Sequence, residues 1–135
     1  MSAAAELRAA AQKLRDLAEA ATAGPWRSHD THLDFGGHTA TIMTARDDLN
    51  ATELLAWLPT MSHEPWGDAR NAWRNADFIA AMHPGVALAL AAWLQKSADF
   101  CDQVSDVRAH PLSVADLSVV DALAVARALN PEVTR

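Results

Sequence analysis

Asn75-Ala76-Asp77-Phe78-Ile79-Ala80-Ala81-Met82-His83-Pro84-Gly85-Val86-Ala87-Leu88-Ala89-Leu90-Ala91-Ala92-Trp93-Leu94 is the stretch on which the fold of this 135-residue chain turns. It holds an apolar helical run, a break, and a second, longer run. Phe78, Ile79 and Met82 recur at spacings of three and four, as do Val86, Leu90, Trp93 and Leu94. That period is the stripe of a helix facing a core. Pro84 has no backbone N–H and disfavours helical torsions at His83, so the spacing predicts two helices that meet at His83-Pro84. The first is expected over about 69–82, after a loop over 61–71 with Asp68 as N-cap, and the second over about 85–104.

Upstream, residues 3–22 read as an amphipathic helix. Leu7, Ala10, Ala11, Leu14, Leu17, Ala18 and Ala21 form its apolar stripe, and Ala and Leu are strong helix formers. Gly24 suits a left-handed C-terminal cap and Pro25 blocks continuation. Trp26 to His29 is a short extended segment, Gly36-Gly37 supplies a turn, and His38 to Ala45 alternates with threonine and β-branched residues. Arg46 to Asn50 is a polar turn. Thr52 to Leu58 has an ambiguous period and reads as a return strand, because it is short, follows a turn and stops at Pro59. Such a small antiparallel sheet is not stable alone and must lie on helices. Downstream, Ser113 with Asp116 and Ser118 with Asp121 have capping-box spacing. The final helix then runs to Leu129 with Leu117, Val120, Leu123, Ala124 and Leu129 inward. The expected architecture is a single α+β domain over 1–135: an N-terminal helix, a small antiparallel β-sheet of two or three strands, then three helices.

Composition sets bounds on function. Half the residues are hydrophobic, 21% are charged, and the net charge is −6. That balance argues against nucleic acid as a partner, since phosphate binding needs clustered Lys and Arg. Cys101 is the only cysteine, so neither an internal disulfide nor a thiolate zinc cluster is available. The N-terminus reads as a charged amphipath rather than a signal peptide, and no apolar run reaches membrane-spanning length, so a cytoplasmic protein without a membrane partner is expected.

His29-Asp30-Thr31-His32-Leu33-Asp34, with His38 after the turn, is the one concentration of metal-ligating side chains. His29, Asp30, His32, Asp34 and His38 would be the ligands of a metal-dependent enzyme, although the spacing is not that of a helical His-Glu-x-x-His site. A solvated polar loop accounts for the same residues. Ser28, Ser62 and Ser97 lack a nucleophile elbow, and no glycine-rich phosphate loop exists. The balance favours a protein with no enzyme activity and no cofactor. Of the five tryptophans, Trp26, Trp57 and Trp93 are expected in the core. Trp66 and Trp73, flanked by Arg70 and Arg74, are the candidate partner-binding residues, because indole beside guanidinium is a common interface anchor. A Trp-lined cleft for a nucleotide-like ligand is the third reading. Asp99, Asp102 and Asp106 read as a solvated face.

Ala21-Thr22-Ala23-Gly24-Pro25-Trp26, the later Asn75-Ala76-Asp77-Phe78-Ile79-Ala80-Ala81, and the run Ala122-Leu123-Ala124-Val125-Ala126-Arg127-Ala128 together resemble the Ead-like family of bacteriophage accessory proteins, as found in actinobacteria and their phages. Ala23 stands where that family usually has proline. The resemblance implies a small phage or prophage protein acting on a host or phage protein in the host cytoplasm. It implies no catalytic residue, because the motifs have structural explanations. Self-association into a homo-oligomer through the alanine-rich first and last helices is a further expectation.

Overall fold

The computed structural model describes residues 2–30, 40–58, 67–105 and 114–130, with the side chains of 49, 67–71, 105 and 114–118 outside that description. In chain order these residues form α1 (Ala3–Ala20), β1 (Trp26–Asp30), β2 (Ala40–Thr44), a 3₁₀ turn at Leu49–Ala51, β3 (Leu54–Leu58), α2 (Gly67–Ala81), α3 (Pro84–Ser105) and α4 (Val114–Leu129). This is the expected α+β arrangement, with Thr52–Leu58 resolved in favour of strand. The contacts divide the chain into two compact units, Met1–Leu17 with Ala87–Arg135, and Ala18–Val86.

The first unit is helical. Leu7, Ala10, Ala11 and Leu14 of α1, Ala91, Leu94 and Ala98 of α3, and Ala122 and Ala126 of α4 are buried together, with Leu90, Trp93, Leu123 and Leu129 packed around them. Small side chains at the seam let helix axes approach closely, which is why alanine rather than leucine fills most of it. α1 starts on a cap that the sequence reading did not name: Ser2 Oγ accepts the Ala5 N–H at 3.2 Å. Salt links hold the rim. Arg8 Nη2 lies 2.5 Å from Asp102 and 3.1 Å from Asp99. Arg127 Nε lies 2.9 Å from Glu6, and Lys13 Nζ donates to the Leu129 carbonyl at the end of α4.

Some expected inward residues are corrected. Leu17 is 59% exposed and Val120 is 60% exposed. Ala21 is only half-buried and Ala124 is exposed. The buried line on α4 is Ala122 and Ala126, and Val120 is turned away from it. The side chain of Leu117 and the whole of Ser113 lie outside the described residues.

In the second unit the strands run β1-β2-β3, all antiparallel. Trp26 pairs with Thr44, Ser28 with Ile42, and Asp30 with Ala40. Ala40 then pairs with Leu58 and Ile42 with Ala56. Side chains alternate along a strand, so these residues share one face. α2 covers that face: Ala72, Ala76 and Ala80 are buried against Ala40 and Ile42, with Trp26, Ala56, Leu58 and Trp73 packed alongside. The predicted stripe Phe78, Ile79 and Met82 does not face the core. These residues are 69%, 38% and 45% exposed. The edge of α2 that is buried on the sheet is instead the alanine line at positions i, i+4 and i+8, with Trp73 beside it. Trp57 is likewise not core. It pairs with Thr41 on the opposite face of the sheet and is 57% exposed.

The junctions also differ in detail from expectation. α1 ends at Ala20, four residues before Gly24, so Gly24 is not its left-handed cap. The carbonyls beyond the helix are met by side chains instead: Trp26 Nε1 donates to Thr22 O at 3.0 Å. Gly24 is required by a close approach, since a Cβ there would lie 2.6 Å from His83 Nδ1. The α2–α3 joint falls at His83-Pro84 as expected. His83 Nδ1 accepts the Gly85 N–H at 3.1 Å, so the imidazole caps α3, and Pro84 takes the first helical position. Asp68, expected as the N-cap of α2, falls inside its first turn because the helix begins at Gly67.

Candidate interaction surface

Of the five metal candidates, His32, Asp34 and His38 lie outside the described residues. His29 and Asp30 are consecutive in β1, so they project to opposite faces of the sheet and do not converge on one ion. Among the described residues no three His, Cys, Asp or Glu side chains are grouped to hold a metal. His29 is on the outer face with Thr41, whose hydroxyl donates to the His29 carbonyl at 2.6 Å.

Ser28 donates its hydroxyl to the Asp77 carboxylate, tying β1 to α2. A serine beside a carboxylate resembles part of a hydrolytic triad, but the neighbouring imidazole, His29, is on the other side of the sheet. Among the described residues no imidazole stands beside the pair, and the hydroxyl ties β1 to α2. Ser97 donates back to the Trp93 carbonyl within α3 at 3.0 Å, which occupies its hydroxyl.

Of the partner-binding candidates, Trp66 lies outside the described residues, as does the side chain of Arg70. Trp73 is partly buried against the α2–sheet cluster, while Arg74 is exposed. Arg74, Phe78 and Met82 are spaced four residues apart, so they form one line along α2 roughly opposite the Ala72–Ala76–Ala80 line. Ile79 flanks this line. The strip spans about 12 Å along the axis at roughly 1.5 Å per residue. Each of the three motifs noted above has packing work to do, with these side chains left over. Gly24 and Trp26 pack on His83 and the sheet. Ala76 and Ala80 are buried, and Asp77 is held by Ser28. Ala122 and Ala126 are core and Arg127 holds Glu6. Phe78 and Ile79 are the large apolar motif residues left exposed.

Sequence reasoning missed this strip because it weighted size over spacing. Two apolar lines run along α2, and the signal that could have separated them was the regular repeat of alanine at 72, 76 and 80 beside a threonine- and alanine-rich strand.

Some charges in the helical unit engage one another. The Arg127 guanidinium holds the Glu6 carboxyl below the usual carboxylate range, and Arg8, then Gln95, do the same for Asp99. Burial, then the nearby Asp102, pushes the Cys101 thiol up, so it is a poorer thiolate than an exposed cysteine. Among the described residues no single helix is long and apolar enough to cross a membrane. No protein-family model, curated protein or solved structure matches the chain.

Proposed function

We propose that this chain is a small non-catalytic accessory protein of a phage or prophage, and that it binds a host or phage protein in the host cytoplasm through the outward face of α2. The observation that carries the reading is the 69% exposure of Phe78, beside an exposed Met82 and Arg74, on a helix that has an alanine face for its own core. Aromatic, methionine and arginine side chains are the types enriched at the centres of protein interfaces. A helix offering anchors at i, i+4 and i+8 suits the mode in which one helical face docks on another apolar surface. The motif residues of the Ead-like resemblance include Phe78 and Ile79, which gives the phage context its bearing on this surface.

The test is affinity capture from an actinobacterial host lysate, quantified by mass spectrometry, with three baits: the unaltered chain, Phe78→Asp and Val120→Asp. Both substitutions put a carboxylate on an exposed apolar position, so the second controls for charge. A protein retained by the unaltered chain and Val120→Asp but lost with Phe78→Asp supports the reading. Equal retention on all three baits, or none on any, removes α2 as the binding surface.

A further inference from the structure

Resting on the α2 binding surface just proposed, we infer that the occupant of this surface is an acidic amphipathic helix of another protein, not a second copy of this chain. The argument begins with Arg74. It is exposed, and no described residue forms an ion pair with it. The acidic residue nearest along α2, Asp77, stands at i+3, where a helical ion pair would form. Its carboxylate instead accepts the Ser28 hydroxyl on the sheet side. The guanidinium is therefore left at one end of an apolar line, with Phe78 and Met82 beyond it.

A second copy does not complement that line. Antiparallel packing of two α2 helices about Phe78 sets each Arg74 against Met82 of the other, leaving a guanidinium facing a thioether. Parallel packing sets Arg74 against Arg74, which is repulsive. A foreign helix with a Glu or Asp at the end of its apolar stripe supplies what is absent: apolar cover for Phe78 and Met82, and a bidentate acceptor for Arg74. Ridge-into-groove packing of two helices brings their side chains into this register without movement of the α2 backbone.

The experiment selects a displayed library of amphipathic helices about five turns long. Their apolar face is constant and the flanking positions are randomised among Ala, Gln, Glu and Lys. The full chain, Arg74→Glu and Phe78→Asp serve as immobilised baits, each checked for native circular dichroism. A net charge of −6 biases any such selection toward lysine. Enrichment of Glu at one flank on the unaltered bait therefore runs against the background. The expected result is that Glu enrichment, its replacement by Lys at the same positions on Arg74→Glu, and no selection on Phe78→Asp. The best acidic helix, made as a free peptide, is expected to bind Arg74→Gln about five- to tenfold more weakly. Lys preferred on the unaltered bait, or the same charge preference on both Arg74 baits, overturns the acidic partner while leaving α2 as a binding surface. Selection independent of Phe78, or none at all, overturns the surface itself. Sedimentation of the unaltered chain as a dimer that Phe78→Asp disperses would make the second copy the occupant.

Discussion

A single histidine shows how tightly some positions are specified. His83 caps α3 through Gly85 and sits so close to Gly24 that a Cβ there would come within 2.6 Å of the ring. Gly85 is almost as restricted, at 2.8 Å from the same ring. Gly24→Ala is expected to cost about 1–3 kcal/mol, as overpacking does, and to lower the melting temperature by several degrees in a circular dichroism scan. His83→Ala loses the cap, at about 0.5–2 kcal/mol, but opens the space that alanine at 24 needs. The double variant should therefore be less damaged than the two single losses added together. Strict additivity would mean that the ring and Gly24 do not compete. None of this was legible in the sequence. Gly-Pro at 24–25 reads as a helix stop, and nothing local indicates that the glycine answers to a side chain 59 positions later.

At the scale of elements, helix positions were readable and helix faces only partly so. The strand choice for residues 54–58 and the break at His83-Pro84 followed from turn residues and proline, which act locally. Which stripe of α2 or α4 turns inward depends on how near the neighbouring element lies, and that distance is a tertiary property. On α3, where a thick hydrophobic stripe meets two other helices, Leu94 was assigned inward and is fully buried. Leu94→Ala should cost about 2–5 kcal/mol by chemical denaturation. Val120→Ala, at a position the sequence pattern also placed inside, should change stability by less than about 0.5 kcal/mol because the side chain is 60% exposed. A large loss at Val120 would show that the face of α4 is misassigned. The candidate site was legible only in Arg74. Its apolar companions were hidden by the assumption that large hydrophobic side chains go inside, which small-residue seams do not obey.

For the whole molecule, acid is the informative perturbation. Glu6 and Asp99 titrate below their ordinary values because Arg127 and Arg8 favour their charged forms. In both cases the unfolded chain binds protons more readily than the folded one. Their stabilising effect is therefore present above the usual carboxylate range and is lost as pH falls below about 4, through the lowered values. Thermal melts should show a decline over that window that Glu6→Gln makes shallower, and added salt should weaken the effect, most at the exposed Arg8–Asp99 pair. An unchanged slope in Glu6→Gln would remove the Arg127 link as a source of acid sensitivity. The wider point lies in the cores. Seven of the ten residues buried in the helical cluster, and four of the five in the sheet cluster, are alanine. Every single-base change that replaces alanine yields Val, Thr, Ser, Pro, Gly, Asp or Glu. Each of these is bulkier, polar or a poorer helix former. The interior thus has almost no neutral replacements one base away, and variation in this gene should accumulate on the surface, the exposed line along α2 included.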